Sequence, residues 1–253
     1  MERPIFKGAI SLGSFLIPMR IIKATKDHDV KFHEYHATDM GRVGRSKPCK
    51  SCGTILAENM IIKGVEVSKD TVVTFTKEEL DNLPVKSSKT VEIDRFVGSA
   101  ELDELMFDNS YYVLPEDIGV KAYELFVNGL KKERKVAVGR ISMRQRENTC
   151  IISVLGNGLL LRTLRYCDEV RDMPSVPKAQ VVDDEVELIC QVIKKYTKPF
   201  EPWVYTDQYT ASLERLIQAK VKGETVNVAS PEQPKEATSL KDALVGLLEK
   251  DNE

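Results

Sequence analysis

The sequence predicts a mainly β fold with peripheral helices, an α+β chain. Three observations carry that reading. Short runs rich in Ile, Val, Phe and Thr are separated by turn-forming residues through the first half. Residues 90–97 alternate strictly, with Val91, Ile93, Arg95 and Val97 on one side and Glu92 and Asp94 on the other. Helical periodicity is confined to a few segments after residue 116. At 253 residues the chain is long enough for one large domain or two smaller ones.

Taken in order, strands are expected at 5–11, 15–24 and 29–36, with Gly13-Ser14 and Lys26-Asp27 as the turns. Residues 61–67 and 71–75 flank Ser68-Lys69-Asp70 as a hairpin. Further strands fall at 90–97, 111–114, 135–143, 149–155 and 159–166, the last two meeting across Gly156-Asn157-Gly158, whose residues tolerate positive φ. Asp117 opens a helix whose Ile118, Ala122, Leu125, Phe126 and Leu130 share a face, with Lys131 and Lys132 at its negative end. A second helix is read from Val186, Ile189, Val192, Ile193 and Tyr196. A third follows Asp207, with Tyr209, Leu213, Leu216 and Ile217 as its stripe. Residues 198–203, with two prolines, form a loop between them. Residues 223–238 are polar and contain two prolines, so they read as a flexible linker. Beyond them 239–253 form a short amphipathic helix with Leu240, Ala243, Leu244, Leu247 and Leu248 on one face. That face is expected either to dock on the protein's own core or to recruit a partner.

Composition excludes several classes. No apolar run approaches the roughly 18 residues of a membrane span, and no signal-peptide core follows the N-terminus. Five cysteines do not read as a secreted disulfide framework, so a cytoplasmic protein is expected, with Cys150, Cys167 and Cys190 packed as small apolar residues. No phosphate-binding Gly-rich loop and no G-x-S-x-G motif is present. The three histidines lie within nine residues of one another, so no dispersed catalytic triad assembles and no enzyme is expected.

The net charge of −2 hides a segregation. Residues 1–50 carry net +5 and residues 131–165 net +7, between segments of −8 and −6. Arg42, Arg45, Lys47 and Lys50 occupy a Gly- and Pro-punctuated stretch, with Lys7, Arg20 and Lys31 before it. Arg140, Arg144 and Arg146 recur at the end of one predicted strand and the turn after it. Cations spread along extended segments, without a basic recognition helix or an aromatic platform, suit contact with the phosphate backbone of a duplex and not base readout. The same stretch holds Cys49-Lys50-Ser51-Cys52-Gly53, preceded by His33-x-x-His36. Two thiolates and two imidazoles are one donor set for zinc, although residues 33 and 36 would face opposite sides of a strand. A zinc-ribbon-bearing nucleic-acid adaptor that does not encircle DNA is therefore the second reading.

The segments Arg3-Pro4-Ile5-Phe6-Lys7-Gly8-Ala9-Ile10-Ser11-Leu12-Gly13, Ile17-Pro18-Met19-Arg20 and Lys31-Phe32-His33 resemble the prokaryotic Ku proteins. So do Ile62-Lys63-Gly64-Val65-Glu66, Lys89-Thr90-Val91-Glu92-Ile93, Tyr111-Tyr112-Val113-Leu114-Pro115, Val138-Gly139-Arg140 and Leu164-Arg165-Tyr166-Cys167-Asp168-Glu169-Val170-Arg171, in that order over residues 3–220. The resemblance implies a Ku core over 1–222, made of a β-barrel, an extended β bridging arm over about 27–64 and helices over about 183–222. It implies a homodimeric ring that holds double-stranded DNA ends without sequence preference, protects them and recruits a DNA ligase for non-homologous end joining. Many bacterial members end in a Lys-rich tail. Here the last residues are Glu249-Lys250-Asp251-Asn252-Glu253, so the resemblance does not carry a tail-borne DNA contact over to this chain.

Overall fold

The computed structural model describes residues 3–26, 29–69, 71–82, 89–143, 146–223 and 240–249. The chain divides into two compact units, Met1–Asp27 with Phe32–Asp172, and His28–Lys31 with Met173–Glu253.

In the first unit, β1 (Phe6–Leu12), β2 (Phe15–Lys23), β5 (Thr90–Gly98), β6 (Phe107–Pro115), β7 (Lys135–Met143), β8 (Arg146–Leu155) and β9 (Gly158–Leu164) form a closed barrel in the order β1-β2-β6-β9-β8-β7-β5. Every pairing is antiparallel except the closing one, where Ala9–Ser11 run parallel to Thr90–Glu92. Closure leaves the barrel no free edge. Alternation decides what fills it. Ile17, Met19 and Ile21 of β2 are buried, and Ile10, Val91, Val113, Ile141, Ile152 and Leu161 meet them inside. Arg20 and Lys7, directly opposite each other across β1 and β2, point away from that interior. Gly156 at φ +60° makes the predicted tight turn between β8 and β9. Gly139 is required by a close approach. A Cβ there would stand 2.2 Å from the Glu92 carbonyl oxygen.

Helix α2 (Val120–Glu133) packs Tyr123, Phe126, Val127 and Leu130 on the barrel. The Tyr123 hydroxyl donates to the Val113 carbonyl and accepts from the Leu159 amide, both at 2.7 Å, and so ties α2 to β6 and β9. The sequence placed Ile118 and Leu125 on this buried face. They are 89% and 65% exposed: Ile118 lies in the tight 3-10 turn Asp117–Gly119, before the helical phase starts at Val120, and Leu125, about 200° round the helix from Tyr123, lies opposite the buried stripe.

Two strands form a separate ribbon, β3 (Lys63–Ser68) with β4 (Thr71–Phe75), confirming the hairpin read from the sequence. The short helix α1 (Lys77–Asp81) follows, capped by Thr76 and Glu79, and was not foreseen. The strand expected at 29–36 is absent. From Phe32 to Ile62 the described backbone holds only isolated bridges, Tyr35 to Arg42 and Pro48 to Ile55, with one 3-10 turn at Glu58–Met60. With no neighbouring strand to complete a ladder, its apolar residues do not build one.

In the second unit, α3 (Asp183–Tyr196), α4 (Gln208–Lys222) and α5 (Leu240–Glu249) are present, with α5 against α3. The Lys195 ammonium donates to the Leu248 carbonyl at 2.7 Å, so the end of α5 docks on this chain's own helix. The stripes read from the sequence are mostly uncovered. Val192 is the buried residue of α3 and Ala219 of α4, whereas Ile193 and Tyr209 are exposed. Most of the linker read at 223–238 lies outside the described residues. Cys150 is buried as expected, but Cys167 and Cys190 are exposed.

Candidate nucleic-acid interface

The residues expected to contact phosphate fall into three groups. On the barrel wall, Arg20 reaches Glu116 at 3.5 Å and the Pro115 carbonyl at 3.4 Å, while Lys7 opposite it is exposed. Arg140 on β7 sits 3.3 Å from Asp94 of β5. The charge of Asp94 and its hydrogen bond hold the guanidinium even further above its ordinary pKa. Arg146 opens β8 and is exposed, and Arg144 lies outside the described residues.

The arm carries the second group. Arg42, Arg45, Lys47 and Lys50 stand within the irregular segment. Arg45 approaches Glu34 at 3.7 Å and Lys47 approaches Glu58 at 3.5 Å, both pairs largely in solvent. Such pairs are weak and exchange readily for a phosphate. The Arg42 guanidinium is 2.7 Å from His33 Nδ1, and Lys50 has no ion pair among the described residues. Lys31 forms the third group alone, since it belongs to the second unit.

The proposed zinc ligands are not gathered. His33 is engaged with Arg42, and His36 Nδ1 lies 2.9 Å from Asp39, whose carboxyl is held below its usual range by the Gly41 amide and by that imidazole. Among the described residues no three His, Cys, Asp or Glu side chains come together as a metal site. Cys49 and Cys52 do share a tight turn, in which the Cys49 amide donates to Thr54 O, the Gly53 amide donates to Cys49 O, and Gly53 has φ +72°. The Thr54 hydroxyl and amide, then Cys49, pull the Cys52 thiol down to about 7. Two thiols are half of a tetrahedral donor set.

A cationic cluster that the sequence reading passed over lies where α2 meets β7. Lys131, Arg134, Lys135 and Arg162 line one cavity of about 520 Å³. In the sequence Lys131 and Lys132 read as helix-end charges, and Arg162 converges on Lys131, Arg134 and Lys135 only through the barrel.

A closed seven-stranded barrel with a cationic side arm is the class of fold, and comparison with known proteins identifies its family. The family profile of the Ku70/Ku80 beta-barrel domain matches residues 11–188. A non-homologous end joining protein Ku of Archaeoglobus fulgidus is 35% identical over 251 residues, covering 98% of both chains. Proteins with the same name from Streptomyces avermitilis and Mycolicibacterium smegmatis are 36% and 32% identical, over 88% and 87% of this chain and 71% and 72% of theirs. The chain belongs to the Ku family. Among the described residues, no helix is long and apolar enough to cross a membrane.

Proposed function

We propose that the chain binds double-stranded DNA ends in non-homologous end joining, as a homodimer that encloses the duplex, shields it and brings a DNA ligase to it. The exposed cationic arm carries this reading. Arg42, Arg45, Lys47 and Lys50 stand in solvent on a segment with few internal ladder bonds, which suits a backbone that tracks phosphates without reading bases. The relatives' shared name supplies the process. The protein acts without catalysis, in the cytoplasm at the nucleoid. A ring needs no base contact, because threading over a terminus selects ends, and two copies double the positive charge around one duplex.

A mobility-shift comparison of one duplex in linear and covalently closed circular form tests the reading. Binding to the linear form with at least about tenfold preference is expected, a difference of about 1.4 kcal/mol. Equal binding to both forms points to an open adaptor and overturns the ring.

A further inference from the structure

Two cavities adjoin at the end of the barrel where α2 runs into β7, and they share Leu130 and Lys135. The first, about 440 Å³, is walled almost entirely by apolar groups, among them Phe15, Phe96, Leu125 and Phe126. Leu125 is 65% and Phe96 42% exposed, so this wall is open to solvent. The second is the cationic cavity of Lys131, Arg134, Lys135 and Arg162. Lys131 donates to Asn157 at 3.4 Å, but none of the four has a carboxylate within ion-pair distance among the described residues.

Arg162 is fixed in place by its own packing. Its guanidinium carbon lies 3.7 Å above the Phe107 ring, and its buried Nε has no hydrogen-bond acceptor. Burial lowers its pKa, which the charge of Glu104 opposes. Four cations around one open cavity, with no carboxylate in ion-pair range among the described residues, are complemented by oxyanions. A duplex offers such oxygens, but no large apolar group to fill the neighbouring cavity. A peptide with an apolar anchor next to carboxylates offers both. The one acid of the apolar cavity, Glu133, gives a direction, with the carboxylates away from it and over Lys135 and Arg162.

We infer that this end of the barrel docks an acidic amphipathic peptide segment of a partner protein, with a leucine or aromatic side chain in the apolar cavity and two or more carboxylates in the cationic one. The site is separate from the DNA-end reading, and its test measures the two activities side by side. An array of twelve-residue peptides, each with one Leu or Phe and three Glu at varied spacing, supplies the probe, and fluorescence polarisation on the full chain reads the best of them. The expected Kd is on the order of micromolar. It should weaken at least about tenfold when Glu is replaced by Gln, when the anchor is replaced by Ser, and in Leu125→Glu or Lys135→Glu protein, with linear duplex affinity and melting temperature unchanged in Leu125→Glu. Both substitutions are at exposed side chains. Arrays without a binder overturn the inference, as does a best peptide indifferent to both substitutions. If Lys135→Glu weakens duplex binding and peptide binding does not depend on Glu, the cluster is a phosphate contact and the inference is wrong.

Discussion

Tyr123 shows how much one hydroxyl does in this barrel. It is the common partner of a carbonyl on β6 and an amide on β9, so Tyr123→Phe leaves both without their bond. The expected loss is about 1–3 kcal/mol in urea unfolding, and an unchanged midpoint would show that the bridge is replaceable. Burial raises the pKa of this phenol, and it pushes the Cys150 thiol up to about 12. Both groups hold their proton longer when folded, so their contribution is full below the unfolded values, 9.0 for the thiol and 10.0 for the phenol, and is lost as pH rises beyond them. Stability should therefore fall above about pH 9, less steeply in Cys150→Ala, and again above about pH 10, less steeply in Tyr123→Phe. Calorimetry across pH 8–11 checks both slopes. At the arm, Arg42→Ala and Lys50→Ala should each weaken binding to all duplex sequences alike and reduce the salt slope by about one. A change of base preference at constant slope would remove them from the phosphate set. The sequence made these cations visible as a charge excess. It could not show Arg162 beside Lys135, since that meeting depends on barrel closure.

At the scale of elements, alternation and turn chemistry made most of the barrel legible. β7 was read to its end residues, and the hairpin ribbon and the turn at Gly156 were placed correctly. Closure was not legible, because nothing local in β1 and β5 announces their parallel pairing. Helix phase failed for a physical reason. A 3-10 turn advances by about 120° per residue against about 100° for α, so Ile118 does not share the phase of α2, and within α2 the stripe is set by Tyr123 and Val127 and leaves Leu125 on the far side. The energetic consequence is testable. Phe126→Ala should cost about 3–5 kcal/mol, while Ile118→Ser should stay within about 0.5 kcal/mol. Chemical denaturation of the two variants decides it, and a costly Ile118→Ser would restore the face read from the sequence. The C-x-x-C turn was legible as a thiol pair. The pairing of His33 with Arg42 and of His36 with Asp39 was not, since it needs the arm's tertiary path.

At the scale of the whole molecule, the uncovered apolar surface is the strongest argument for a partner copy. In the arm and ribbon, Phe32, Met40, Ile55, Ile62, Val65 and Val67 are all more than half exposed, and among the described residues β3 and β4 have no third strand. A two-stranded ribbon is marginal alone in water, and its free edges invite addition of another strand. Burial of such side chains in a second copy would return about 25 cal/mol per Å² of apolar surface, which favours association through the arm and ribbon. The proposed homodimer therefore predicts a melting temperature that rises with protein concentration and an interface of more than about 2,000 Å². Val65→Glu with Val67→Glu places charge on that surface without touching the barrel core. It should shift sedimentation toward monomer and abolish end-selective DNA binding, while the Tyr123 and Cys150 signatures of the barrel persist. A wild-type chain that sediments as a folded monomer at micromolar concentration and still prefers linear over circular DNA would refute the ring, because a single open arm has no means to tell an end from an interior.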